Sequence, residues 1–230
     1  MQNSELQILR WGIPGWLTII TYFILELSIK EYKIPDLFSG LELDGGILAG
    51  IGAILTALGI PLGYVVYQIY FWAKWTFLKD DEKIQKLMKV IPLYNDLSRG
   101  SSERLGNHLD NWKRMERTFD IYMSYYITDT KLEYEDMRRQ NSSLKSRIDR
   151  VHGLGASIVG IIIATLVFVF SEFGINGADV FRSCAFLLTL FILIFVLIVF
   201  AKNYIHANKN SYEQMRNIII DIEVAKKKPK

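Results

Sequence analysis

The chain has 230 residues and a formal net charge of +3, and half of its residues are hydrophobic. Its mean hydropathy of +0.18 and its charged fraction of 22% exclude a disordered chain, and a water-soluble domain is rarely this apolar. The single cysteine, Cys184, excludes an intrachain disulfide framework and a zinc site built from several cysteines. The small net charge does not indicate nucleic-acid binding, so we expect no nucleic acid among the partners.

Four long apolar runs account for this hydropathy. They cover Trp11 to Ile29, Ile47 to Trp72, Leu154 to Phe170 and Ser183 to Ala201. A bilayer core about 30 Å thick is crossed by about 20 apolar residues in an α-helix. The flank of the first run lacks a small-residue cleavage pattern, which favours a retained helix over a signal peptide. The sequence therefore predicts an all-α, polytopic membrane protein with four transmembrane helices, arranged as two hairpins.

The distribution of basic residues predicts the orientation of these helices. The connections after the first and third runs contain only Lys30, Lys33 and Arg182 of the 27 lysines and arginines. Because basic residues concentrate on the cytoplasmic side, we expect a multi-pass protein of the cell membrane with both termini and the long central segment in the cytoplasm. An aromatic belt is expected at the inner interface, formed by Trp11, Tyr64, Tyr67, Tyr70, Trp72 and Trp75.

These features divide the chain into four predicted parts. Residues 1–75 contain the N-terminal region and the first hairpin, and residues 76–152 form a cytoplasmic helical domain. Residues 153–203 form the second hairpin. Residues 204–230 form an amphipathic tail that ends in lysines. The tail is expected to dock on the cytoplasmic helices through Tyr212, Met215, Ile219 and Ile222.

The central segment is predicted to be a helical bundle or coiled-coil hairpin between the second and third transmembrane helices. Apolar residues recur there at steps of three and four in two series. The first contains Leu105, Leu109, Trp112, Met115, Phe119, Tyr122 and Tyr126, and the second Tyr134, Met137, Asn141, Leu144, Ile148 and Val151. Asn141 is a polar residue in an apolar series, a position that often fixes oligomer register. No proline separates the second series from the third apolar run, so one helix is expected to continue into the bilayer.

Small residues in the second and third runs predict close helix contacts. The second run carries Ala49, Ala53, Ala57 and the pair Gly59 and Gly63, and the third carries Gly160. Lipid provides little hydrophobic drive between helices, so close approach along small residues is a main source of association. We therefore expect the second and third helices to be central, either within one chain or between copies. We expect the fourth helix to face lipid and the chain to form a homo-oligomer. Pro61 removes a backbone hydrogen bond within the second run and predicts a hinge.

The few polar residues in the apolar runs are typical of an ion pathway. Thr18, Tyr22 and Glu26 share one face of the first run, and Glu172 lies near the outer end of the third. Ionisable residues at such depth usually face a bundle interior or a water-filled cavity. In an oligomer either glutamate repeats as a ring of carboxylates, and such rings favour cations. The competing interpretation is a glutamate that extends to the outer interface.

Catalytic and metal-binding patterns are sparse. His152 and His206 are equally distant in sequence from Asp179, which favours a shared interface, but no third ligand accompanies them or His108. We therefore expect no metal and no cofactor. Arg147 and His152 form R-x-x-x-x-H, which resembles the catalytic motif of HEPN-type ribonucleases over six residues; its second position is Ile148, where that family usually has a polar residue. The resemblance implies a membrane-anchored ribonuclease.

Three functions follow in order of preference. The first is a homo-oligomeric membrane channel or pore that conducts cations and is gated by its cytoplasmic helices, with a cytoplasmic protein or small molecule as regulator. A defence-type membrane effector is one biological setting for such a channel. The alternative is a non-catalytic membrane scaffold that recruits a cytoplasmic partner, and the ribonuclease is third. We expect that the protein is not an enzyme.

Overall fold

The computed structural model describes residues 2–30, 45–77, 119–120, 134–177 and 183–226. Its long helices are α1 (Gln2–Lys30), α2 (Gly45–Phe77), α3 (Tyr134–Asn176) and α4 (Cys184–Lys226). Each contains a segment long and apolar enough to cross a membrane; these segments are Trp11–Ile29, Gly52–Phe77, Arg139–Gly174 and Cys184–Asp221. The prediction of an all-α chain with four helices able to span a membrane is confirmed, and the fold fits a multi-pass membrane protein.

The third helix continues from the polar central segment into the third apolar run. It contains 43 residues without a proline, from Tyr134 to Asn176. The predicted continuity is therefore confirmed, and its reason is local, because no residue in this range removes a backbone donor. Helices α1 and α2 include Pro14 and Pro61 within their helical ranges. The hinge at Pro61 stays a prediction.

The chain divides into two compact units. Unit 1 contains Met1–Phe71 and Val151–Tyr204, and unit 2 contains Trp72–Arg150 and Ile205–Lys230. Helices α2, α3 and α4 each contribute residues to both units. Unit 1 holds most of the apolar runs, whereas the described part of unit 2 comes from the more polar ends of these three helices.

In unit 1, α3 is the most extensively packed helix. Of the residues in the most apolar stretch of α3, 39% are buried inside the structure, compared with 11% in the corresponding stretch of α4. Within one chain the corresponding part of α2 is 28% buried and that of α1 is 33% buried. The described side chains of residues 50–58 on α2 are exposed. A central place for the second helix, within one chain or between copies, stays a prediction.

One buried cluster of unit 1 is formed by α1, α3 and α4. Leu25, Ile161, Phe168, Phe186 and Leu193 are buried in one cluster. The Phe168 and Phe186 rings lie 6.0 Å apart between centroids, which joins α3 to α4. Close packing of such large side chains supplies the dispersion contacts that hold helices together in lipid.

In unit 2, the tail of α4 packs against the first part of α3. Leu144 of α3 and Met215 and Ile219 of α4 are buried, and Gln214 Nε2 donates a hydrogen bond of 3.5 Å to the carbonyl oxygen of Gln140. The tail of α4 thus contacts α3, and its docking on a cytoplasmic bundle stays a prediction. Of the first apolar series, Phe119 is buried. The other members lie outside the described residues, and the predicted cytoplasmic bundle depends on them.

Replacing Leu144 by alanine is expected to lower the free energy of unfolding by about 2 kcal/mol. The side chain is 2% exposed, so its removal leaves a cavity between α3 and its neighbours in unit 2. Ser143→Ala is the matched control, because Ser143 adjoins Leu144 on the same helix and is exposed. Chemical unfolding in detergent measures both changes, and equal stabilities for the two variants would contradict the packing described here.

Candidate functional site in the apolar helices

The polar face of α1 lies against α3. Thr18 is buried, and its hydroxyl donates a hydrogen bond of 2.8 Å to the carbonyl oxygen of Pro14. Gly160 of α3 lies opposite, and a Cβ added there would be 3.0 Å from that same carbonyl oxygen and 3.5 Å from the side chain of Val66. The small size of Gly160 therefore permits the close approach of α3 to both α1 and α2.

Further along the same face, the α1–α3 contact becomes aromatic. Tyr22 packs edge-on against Phe168, with ring centroids 5.7 Å apart. Because Thr18 faces Gly160 and Tyr22 faces Phe168, α1 and α3 run in the same direction. Thr18 and Tyr22 are thus used for packing within one chain.

Both glutamates follow at the same end of unit 1. Glu26 lies one turn beyond Tyr22 and is half-buried. Glu172 lies one turn beyond Phe168 and is 8% exposed. The parallel course of α1 and α3 therefore places two acidic side chains where both helices end, and Glu172 faces the protein interior.

A serine hydroxyl joins α1 and α4 at this end. Ser183 Oγ accepts a hydrogen bond of 3.3 Å from the backbone amide of Phe186, which caps the first turn of α4. The same hydroxyl donates a bond of 3.4 Å to the carbonyl oxygen of Ser28 on α1. Three of the four helices of unit 1 therefore meet beside the two glutamates.

Glycines bring α1 and α2 into backbone contact. A Cβ added to Gly15 would overlap the carbonyl oxygen of Gly59, and a Cβ added to Gly63 would overlap the carbonyl oxygen of Trp11. The ring of Trp16 covers Gly59 in the same way. The pair Gly59 and Gly63, predicted from its spacing to pack closely, is used inside the chain against α1.

The other small residues of α2 remain uncovered in this chain. Ala53 and Ala57 are exposed, and a Cβ added to Gly50 or Gly52 would have no neighbour within 4 Å. The side chain of Ala49 lies outside the described residues. An apolar half of α2 is therefore available for lipid or for another chain.

His152 lies in an aromatic cluster that joins α2, α3 and α4. It is 8% exposed, and its Nδ1 lies 3.3 Å from the hydroxyl of Tyr70. The Tyr70 hydroxyl lies 3.5 Å from that of Tyr204 on α4. The Phe71 and His152 ring centroids are 5.0 Å apart, and a Cβ added to Gly155 would overlap the Tyr70 ring. Tyr67 and Tyr70 are thus buried packing residues. The aromatic belt at the inner interface stays a prediction.

The Tyr70 hydroxyl bridges His152 and Tyr204. It donates the 3.5 Å bond to the Tyr204 hydroxyl. Its oxygen can then accept a bond from His152 Nδ1 in the tautomer in which that nitrogen carries the hydrogen. One tyrosine hydroxyl thus serves both neighbours.

Replacing Tyr70 by phenylalanine is expected to lower the free energy of unfolding by about 1 kcal/mol, because one hydroxyl serves both His152 and Tyr204. Tyr204→Phe in the Tyr70→Phe background should add little, since the shared bond is already lost. Tyr64→Phe is the control, because that side chain is half exposed. Unfolding titrations in detergent measure the two single variants and the double variant. If the losses in free energy of unfolding are fully additive, the two tyrosines do not share a bond.

The other chemistry-bearing residues are dispersed. His206 Nε2 pairs with Asn210 Nδ2 at 3.0 Å in unit 2, apart from the contacts of His152. Arg147 is exposed in unit 2, and five residues of helix turn it about 140° around the axis from His152. Within the described residues, three or more metal-ligating side chains come together nowhere. His108 lies outside them, and Asn141 is exposed.

Comparison with known proteins adds no relative: no family model, curated protein or solved structure matches this chain. The two features that distinguish its apolar helices are the acidic end formed by Glu26 and Glu172 and the aromatic cluster around His152. Any assignment of function therefore depends on their geometry.

Proposed function

We propose that this protein is a homo-oligomeric membrane channel that conducts cations and is gated through its cytoplasmic helices. The observation that carries the proposal is the course of α3. Its residues 134–150 belong to unit 2, where Leu144 is buried, and its residues 151–176 belong to unit 1 and include Glu172. One unbroken helix thus links the packing of unit 2 to the acidic end of unit 1.

We infer the channel's preference for cations from the two glutamates, Glu26 and Glu172, at one end of unit 1. Glu172 points into the protein although it follows a long apolar run, and residues of this kind usually serve a pathway. In an oligomer, Glu172 and Glu26 repeat around the axis as carboxylate rings, which concentrate cations at a mouth. Thr18 and Tyr22 pack against α3 and carry no charge, so we assign the cation preference to the two glutamates.

Oligomerisation is supported by the uncovered half of α2. The described side chains between residues 50 and 58 are exposed, and the small ones among them allow another helix to approach closely. Four helices with so few polar side chains cannot surround a wide aqueous path by themselves. We therefore assign this half of α2 to contact with a second copy, and Asn141, exposed on α3, to the register of that assembly.

The test is ion flux through liposomes that contain the purified full-length protein. We expect cation efflux at one or both polarities of membrane voltage, together with closed rings in images of the detergent-solubilised particle. A monomeric particle without flux would contradict the channel. If that particle instead retained a specific cytoplasmic partner, the scaffold would replace it.

A further inference from the structure

Two exposed arginines lie on α3 shortly before its uncharged apolar run, which begins at Leu154. Arg147 and Arg150 are three residues apart, so they lie on the same side of the helix. Arg150 directly precedes Val151, where unit 1 resumes. Within the described residues, neither arginine has a hydrogen bond or ion pair. Asp149, the carboxylate on this turn, is half-buried and already interacts with another group.

Exposed aromatic rings lie on α2 at about the height of Arg150 along the helices. Phe71 contacts His152, and α2 and α3 run in opposite directions, so Trp72 and Arg150 each lie just beyond this contact. Trp72 is 63% exposed, and its ring packs edge-on against exposed Phe77 with centroids 5.9 Å apart. Exposed tryptophan beside an apolar helix favours the headgroup region of a bilayer.

We propose that Arg147, Arg150 and Trp72 form a binding surface for the headgroup of an anionic lipid. The guanidinium groups present planar pairs of N–H donors that match phosphate oxygens, and two of them on one helix face can share one phosphate. The Trp72 indole lies against the glycerol region, and the adjoining apolar helices contact the acyl chains. A lipid, rather than a free phosphate, is the ligand because the two cations lie within the first part of a helical segment able to span a membrane, and α2 carries an exposed aromatic pair.

Lipid titration of the detergent-solubilised full-length protein, followed by native mass spectrometry, tests this surface. Each arginine near a bilayer surface contributes about 1 kcal/mol, so Arg147→Gln with Arg150→Gln should raise the Kd for phosphatidylglycerol about thirtyfold. Lys209→Gln with Arg216→Gln removes the same charge from exposed positions of α4 and should change the Kd by less than about twofold. Phosphatidylcholine and free glycerol phosphate should bind the wild type far more weakly.

A double variant with lysine at both positions distinguishes the loss of charge from damage to the fold. Arg147→Lys with Arg150→Lys should keep the Kd within about fivefold of the wild type, since it keeps both charges but loses the paired donors. The proposal is overturned if the glutamine pair binds phosphatidylglycerol as the wild type does, if the lysine pair loses as much affinity as the glutamine pair, or if free glycerol phosphate binds equally well. The measurement requires no conductance, so it stands apart from the channel proposal.

Discussion

Replacing Gly63 by alanine is expected to lower the free energy of unfolding by about 3 kcal/mol or more. The added methyl group would overlap the carbonyl oxygen of Trp11, which is a backbone atom and cannot rotate away. The whole of α1 has to shift to make room. Because the same helix face also carries the contacts of Thr18 and Tyr22 with α3, the shift weakens a second interface.

Gly52→Ala is the control for this prediction, since a Cβ at that position of the same helix has open space around it. It should change stability by no more than about 0.5 kcal/mol. Gly15→Ala should lower the free energy of unfolding by a similar amount. The double variant with Gly63→Ala should lose less than the sum of the two single losses, because both changes separate α1 from α2 at the same contact. Unfolding by SDS titration measures all four variants. Wild-type stability of Gly63→Ala would show that α1 and α2 do not cross there.

Replacing Glu172 by glutamine is expected to reduce the permeability of the channel to cations relative to anions by at least about tenfold. Glutamine keeps the shape of the side chain but removes its charge, so the loss reports electrostatics at the acidic end. Reversal potentials under asymmetric salt in planar bilayers provide the measurement.

Glu213→Gln is the matched control, since Glu213 is exposed on α4 in unit 2 and its replacement should leave selectivity unchanged. Glu26→Gln should give a partial loss, as Glu26 lies at the same end and is half-buried. If Glu172→Gln has the same ion selectivity as the wild type, the carboxylates do not line the conduction path.

The existence and continuity of the helices could be predicted because these properties are local. A helix needs about 20 apolar residues to cross a bilayer, and runs of about this length can be read from the sequence. The absence of proline between residues 134 and 176 allows one continuous helix there. The spacing of Thr18, Tyr22 and Glu26 likewise fixes that they share a face of α1. What the spacing cannot fix is the neighbour of that face, which is α3 of the same chain.

The partners of small and aromatic residues were beyond sequence reasoning for the same reason. Gly59 and Gly63 allow any helix to approach closely, and only the fold selects α1 as their neighbour. His152 was paired in the sequence with Arg147 or His206, whereas its partner Tyr70 is 82 residues away. The density of tyrosines between residues 64 and 70 was the one available signal, and it was assigned to an interfacial belt.

The measurement that tests the central claim most directly is cysteine labelling along α4 with a membrane-impermeant maleimide. Cys184, the native cysteine, is exposed at the first residue of α4, and Asn217 is exposed in unit 2 on the same helix. In intact cells we expect Cys184 to react from outside, whereas Asn217→Cys in a Cys184→Ser background reacts only after permeabilisation. If both positions react equally in intact cells, or if the protein separates from the membrane fraction without detergent, α4 does not cross a bilayer and the proposed channel is excluded.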